Sequence, residues 1–167
     1  RESTLETFGE DLGLIVSMEL AQVEILEQMF SVRYADAKLG LGYSLGEVAA
    51  LICGGVYKFD HLLTPLLTLA EESAELARDV TMGVLFSRGP ELNSEAVERL
   101  CTQINMEGRG VIAISAYLSP NTVLLLGQGD TIDRFCERMG DVLPDKTHLR
   151  KNKDRWPPLH TPLLWEK

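Results

Sequence analysis

The stretch Gly-Tyr-Ser-Leu-Gly at residues 42–46 limits the folding of this chain more than any other feature. A serine with glycine two residues before it and two residues after it is typical of a very tight turn between a strand and a helix. The glycine-rich residues 38–42 predict a short strand, and the apolar residues after the turn predict a helix that ends near Cys53. Such a turn would hold the Ser44 hydroxyl at the N-terminus of that helix, where the helix dipole and open N–H groups favour negative charge on oxygen.

This arrangement makes Ser44 a candidate nucleophile. The backbone N–H of Leu45 would be one donor of an oxyanion hole. Serine is a weak nucleophile without a base, and the sequence contains three histidines, His61, His148 and His160. His160 lies between a Pro-Pro and a Thr-Pro dipeptide, in a rigid segment that could fix an imidazole. From the residues alone, a glycine-flanked turn with a solvated serine and an ordinary loop histidine remain the structural alternatives.

Hydrophobic periodicity divides the chain into three parts. Residues 1–80 predict a helical unit around one strand. Residues 81–150 predict the order β-α-β-β-α-β, which is the ferredoxin-like arrangement, and residues 151–167 form a return segment that carries His160. The predicted helices are 12–30, 59–78, 94–105 and 130–139, together with the helix that follows the serine turn and ends at residue 52 or 53. The predicted strands after the first are 82–86, 110–117, 122–126 and 147–150.

Charge and composition exclude several classes of protein. Twenty-five acidic and 16 basic residues give a net charge of −9, which disfavours non-specific binding to nucleic acid or to an anionic membrane. No apolar run approaches the roughly 18 residues of a membrane span. Three well-separated cysteines indicate reduced packing residues, and no histidine or cysteine has metal-ligand spacing. We therefore expect a cytoplasmic protein without a metal site, a nucleic-acid partner or a membrane.

Residues 42–51, with the sequence GYSLGEVAAL, resemble the G-H-S-L-G-E-x-A-A-L signature of malonyl-CoA:acyl-carrier-protein transacylases and of the acyltransferase domains of fatty-acid and polyketide synthases. Residues 160–164, HTPLL, are similar to the H-S-P-L-M segment that carries the catalytic histidine of that family. Residues 117–127 look like its N-x-P-x-Q-x-V-x-S-G stretch. The resemblance covers about residues 12–165 and keeps the motifs in the family's order.

The resemblance implies both a fold and an activity. The fold would be α/β, part of an α/β-hydrolase-like acyltransferase core with a small ferredoxin-like subdomain. Ser44 would accept an acyl group from a thioester, and His160 would act first as general base and then as general acid. No cofactor would be bound. Acyl-CoA and phosphopantetheine thioesters would be the substrates, and an acyl carrier protein would be the partner.

Three positions depart from the family pattern at the expected acyl pocket. Tyr43 replaces the histidine that precedes the family's serine. Leu69 stands where malonyl-using members have an arginine that binds the free carboxylate of the substrate. Leu118 stands at the position of the family's asparagine. Without the arginine, a malonyl carboxylate would be desolvated without its ion pair, so the sequence favours either a neutral acyl chain or a loss of activity.

Other features leave alternatives open. No segment before Leu12 matches the family's second oxyanion loop, so we expect the chain to be a segment of a longer acyltransferase or to be completed by another polypeptide. A naturally reduced relative is the remaining alternative. A thioester hydrolase and a degenerate, non-catalytic domain are the alternative functions, and a generic α/β-hydrolase is a weaker one. A basic cluster lies close before His160 and would either be a solvated loop or attract CoA phosphates or an acidic carrier protein; it comprises Lys146, Arg150, Lys151, Lys153 and Arg155.

Overall fold

The computed structural model describes residues 4–164. The chain forms two compact units, residues 1–72 and residues 73–167. The first is helical, and the second contains a four-stranded antiparallel sheet with helices, so the protein is of the mixed α/β class.

Three helices form most of the first unit: α1 (Phe8–Phe30), α2 (Leu45–Cys53) and α3 (Phe59–Leu76), whose last turn lies in the second unit. α1 begins with acidic residues in its first turn, which complement the positive end of the helix dipole. It ends at Ser31, whose left-handed conformation (φ 56°) closes the last turn. Gly9 allows α1 to approach α3, because a Cβ there would lie 3.3 Å from that of Ala70.

The predicted strand at residues 38–42 is wrong. These residues are extended or bent and pair with no other strand among the described residues. Leu39 and Leu41 are 80% and 90% exposed. A strand is defined by hydrogen bonds to a neighbour, and residues 4–72 of the first unit form no strand that could pair with this segment. The helix that was predicted after it, α2, is present and ends at Cys53, as expected.

The second unit has the predicted order of strands and helices: β1 (Val80–Ser87), α4 (Ser94–Asn105), β2 (Ile112–Ser119), β3 (Thr122–Gln128), α5 (Thr131–Val142) and β4 (Thr147–Arg155). The strands lie in the order β2-β3-β1-β4, and every neighbouring pair is antiparallel. β4 is longer than predicted and continues through the basic cluster to Arg155. An edge strand accepts such charges, because its outer side meets water.

Both helices of the second unit pack on one face of its sheet. Their amphipathic stripes and the alternate residues of the strands form a single core, centred on side chains such as Phe135, Leu85 and Leu125 that are 0% exposed. The Asn93 side chain caps α4 by accepting from the Ala96 N–H at 3.1 Å. At the other end of α4, the Asn105 side chain accepts from the Ile112 N–H at 2.8 Å and donates to the Ile112 carbonyl at 3.0 Å.

An ionic network fixes the loop between α4 and β2. Arg134 on α5 has a side chain only 7% exposed and donates to Glu107 at 2.7 Å and to Asp130 at 2.9 Å. Arg138 and Arg109 also donate to the Glu107 carboxylate. These hydrogen bonds, with the one from Arg138 contributing most, lower the pKa of the Glu107 carboxyl to about 2.

Candidate functional site

Ser44 occupies a strained backbone conformation directly before α2. Its φ and ψ are 53° and −115°, a region that is costly for any residue with a Cβ. The turn is held by the N–H of Gly46, which donates to the Tyr43 carbonyl at 2.9 Å, and by that of Glu47, which donates to the Ser44 carbonyl at 3.0 Å. Strain of this kind is expected where a side chain must project from a sharp turn.

The two glycines of the motif have different roles. A Cβ on Gly42 would lie 2.2 Å from the Gly46 carbonyl oxygen and 2.5 Å from the Glu47 nitrogen, so only glycine fits there. A Cβ on Gly46 would meet nothing within 4 Å. The sequence motif implies that both positions must be small, and the described contacts require it only at Gly42.

The start of α2 presents a backbone donor beside Ser44. Leu45 provides the first amide of the helix, and a first-turn N–H has no acceptor within its own helix. The Ser44 side chain does not cap the helix. The local geometry therefore places a hydroxyl and a helix N-terminus side by side, as acyl transfer through a serine ester needs.

His160 is held in a short turn of the return segment. It is exposed and has a left-handed φ of 59°. Its neighbours are anchored: Pro157 and Pro158 are buried, and Thr161 is 0% exposed and donates its hydroxyl to the Pro158 carbonyl at 2.6 Å. The turn therefore holds an exposed imidazole between fixed points.

Positive φ values set these two residues apart from the rest of the chain. In residues 4–164, three non-glycine residues have a positive φ: Ser31, Ser44 and His160. Ser31 is explained by its position at the end of α1. The remaining two are the residues that the sequence predicts as nucleophile and base. Non-glycine backbone strain concentrates at functional sites, because it persists only where the surroundings enforce it.

The predicted site residues are divided between the two units. Tyr43, Ser44, Leu45 and Leu69 belong to the first, and Leu118 and His160 belong to the second. The three predicted pocket side chains have large exposed fractions, 68% for Tyr43, 56% for Leu69 and 55% for Leu118. Their assignment to an acyl pocket stays a prediction, as does the pairing of Ser44 with His160.

Two of the three cysteines are poor alternative nucleophiles. Burial raises the pKa of the Cys101 thiol to about 12, so that this group stays protonated at neutral pH. Burial also raises the pKa of Cys53. Cys136 is exposed on α5, although its helical pattern predicted a packing residue. Within residues 4–164, no group of three or more His, Cys, Asp or Glu side chains is placed to hold a metal ion.

The basic cluster lies on β4 and at its start. Lys151 forms an ion pair with Asp133 of α5, and Arg155 donates to the Thr81 hydroxyl at 2.7 Å. His148 packs against Phe86 of β1, with ring centroids 5.6 Å apart. The guanidinium of Arg88 covers the same Phe86 ring at 5.7 Å. The cluster is therefore part of an ordered edge strand rather than of a loop.

Sequence reasoning missed a contact between β2 and the return segment. The Ser115 hydroxyl donates to the Leu159 carbonyl at 2.8 Å, directly before His160. The two residues are 44 positions apart, so no local pattern in the sequence could reveal this bond.

Comparisons with known proteins give the fold a context. No family model matches the sequence. The chain is 23% identical over 157 residues to highly reducing polyketide synthase 40 of Fusarium pseudograminearum (strain CS3096), an alignment that covers 94% of this chain and 6% of the synthase.

None of the described helices is both long and apolar enough to span a membrane.

Solved structures with the same fold are acyltransferases. MCAT from Streptococcus pneumoniae matches with a TM-score of 0.71 at 21% identity, over 92% of this chain and 47% of that one. The acyltransferase domain of phenolphthiocerol/phtiocerol synthase A from Mycobacterium bovis (BCG) matches with a TM-score of 0.64 at 23% identity, over 93% and 52%. A malonyl-transacylase solved with the acyl carrier protein AntF matches with 0.66 at 17% identity, over 96% and 48%.

These likenesses confirm, at the level of the fold, the resemblance to malonyl-CoA:acyl-carrier-protein transacylases and to synthase acyltransferase domains. The chain spans about half the length of the solved chains that it matches.

Proposed function

We propose that this chain is part of an acyltransferase that moves an acyl group from a CoA or carrier thioester, through an ester of Ser44, to the phosphopantetheine thiol of an acyl carrier protein. The first unit would belong to an α/β-hydrolase-like core, and the second would be its ferredoxin-like subdomain. The observation that carries the proposal is the strained backbone of Ser44 at the start of α2, with φ 53° and ψ −115°. Acyltransferase neighbours of the same fold support it.

The reaction would proceed in two balanced steps. In the first, the Ser44 oxygen attacks the thioester carbonyl while His160 takes its proton, and the CoA thiolate leaves with that proton. The Leu45 N–H would stabilise the oxyanion. In the second, the carrier thiol gives its proton to His160 and its sulfur attacks the serine ester. The bond between the acyl carbon and the Ser44 oxygen then breaks, and His160 returns the proton to that oxygen. A thioester is consumed and a thioester is formed, so no further reactant is needed.

The carrier protein is the acceptor in this proposal because a malonyl-transacylase of the same fold was solved with one. The acyl group would be neutral rather than malonyl. Leu69, which stands where malonyl-using members have an arginine, lies on α3 and cannot neutralise a carboxylate.

Intact-mass measurement tests the proposal. Incubation with acetyl-CoA and longer neutral acyl-CoAs is expected to add one acyl group, with malonyl-CoA the poorer donor. Ser44→Ala is expected to remove the adduct and His160→Ala to slow its formation by at least about 10³-fold. Ser31→Ala is the matched control, because Ser31 also has a positive φ but only ends α1.

The products then separate the alternatives. With carrier protein present, accumulation of acyl-carrier supports transfer, whereas free acid alone would identify a thioester hydrolase. An adduct that persists in Ser44→Ala would refute the nucleophile assignment. The absence of an adduct with any donor would favour a non-catalytic domain.

A further inference from the structure

A β-bulge in β2 gives Ser115 an unusual environment. Ile114 pairs with Leu125 of β3 and Ala116 pairs with Leu124, so Ser115 has no cross-strand partner of its own. A bulge of this kind redirects a side chain, and bulges are frequent beside active sites. The hydroxyl released from the strand donates to the Leu159 carbonyl at 2.8 Å.

That carbonyl belongs to the peptide group that joins Leu159 to His160. A hydrogen bond to this carbonyl restrains the plane of the peptide group. The φ of His160 is the rotation about its N–Cα bond, which begins in the same plane. His160 holds φ at 59°, a value that a non-glycine residue keeps only under external constraint.

Two other hydrogen bonds of the segment act within the segment itself. Thr161 donates to the Pro158 carbonyl, and the Leu159 N–H donates to the Pro157 carbonyl at 2.7 Å. Both bonds join residues within the segment, so neither attaches it to the sheet. Among the side-chain hydrogen bonds of residues 4–164, the one from Ser115 ties the peptide before His160 to the sheet.

We propose that Ser115 is a positioning residue that orients the His160 imidazole through the Leu159 carbonyl. The proposal rests on the proposed function, in which His160 is the general base. Ser115 itself touches no reacting atom. Its loss would let the 159–160 peptide rotate and would displace the imidazole from its line of proton transfer, where a displacement of about 1 Å costs roughly 100-fold in rate.

The test compares Ser115→Ala with Ser115→Thr, which keeps the hydroxyl and suits a strand. Ser119→Ala is the control, because Ser119 lies on the same strand and accepts a bond from the Asn121 N–H at the hairpin. The rate of Ser44 acylation is measured against acyl-CoA concentration and pH. We expect Ser115→Ala to lower the maximal rate roughly 10- to 100-fold with the half-saturating concentration within about twofold, and Ser115→Thr to recover most of the loss.

A second readout does not depend on activity. The ring resonances of His160, followed by NMR through a pH titration, are expected to shift in Ser115→Ala and to stay in place in Ser119→Ala. Unchanged acylation together with unchanged His160 resonances would refute the proposal, as would equal effects of the two alanine variants. If the wild type forms no Ser44 adduct, the proposed function fails, and the resonances alone decide whether Ser115 orients His160.

Discussion

Gly42→Ala is the sharpest single test of the turn that holds Ser44. The added methyl group would lie 2.2 Å from the Gly46 carbonyl oxygen, 2.4 Å from its carbon and 2.5 Å from the Glu47 nitrogen. All three contacts are with backbone atoms of the first turn of α2, which cannot rotate away as a flexible side chain would.

The size of the effect follows from these distances. Real Cβ atoms essentially never approach closer than 3.0 Å, so the backbone must move by about 0.8 Å at the closest contact. Overpacking of this kind costs about 1–3 kcal/mol of the free energy of unfolding. The same shift would displace both Ser44 and the Leu45 N–H, so the acylation rate should fall by about 100-fold.

Gly46→Ala is the matched control, because it adds the same methyl group where nothing lies within 4 Å. It should be neutral or should stabilise the chain by about 0.4–1 kcal/mol through the lower entropy of the unfolded state. Urea unfolding gives the stability of both variants, and intact mass gives the acylation rate. Equal stability of the two variants, or full activity in Gly42→Ala, would refute this account of the turn.

Two further predictions concern the second unit. The pKa of Glu107, about 2 when folded against roughly 4.3 when unfolded, implies stability that is present above about pH 5 and lost as pH falls towards 2. Glu107→Gln should make the urea midpoint depend less on pH over that range. A pH dependence equal to that of the wild type would contradict the network. Asn105→Ala leaves both backbone groups of Ile112 unpaired and should cost about 2–3 kcal/mol. Thr102→Ala, at an exposed site on the same helix, should cost under about 0.5 kcal/mol in the same urea titration, and a similar loss in both would count against the Asn105 bonds.

Local patterns were enough to predict the helices and most of the second sheet. The glycines at 54 and 55 and the small apolar residues before them predicted where α2 ends, because helix propensity and termination are local properties. Alternating apolar residues predicted β1 and β3 for the same reason. The candidate residues Ser44 and His160 also came from short motifs.

The errors concern pairing between distant residues. Residues 38–42 have a strand-like sequence, but whether such a segment becomes a strand depends on a neighbour that no local pattern describes. The last residues of β4 look like a charged loop, and only their position at the sheet edge makes them a strand. The Ser115–Leu159 bond depends on a bulge, whose register is fixed across the hairpin rather than within one strand.

The basic edge of the sheet has a consequence for self-association. Within residues 4–164, one side of the nine-residue strand β4 pairs with no other strand. Such a side can template the addition of strands from other molecules into filaments. A second copy that added its own β4 to this edge would bring Arg150, Lys151 and Lys153 of the two copies close together. Mutual repulsion would therefore oppose the addition of a second copy at this edge. The protection weakens in about 1 M salt, where charges more than roughly 3 Å apart are screened from each other.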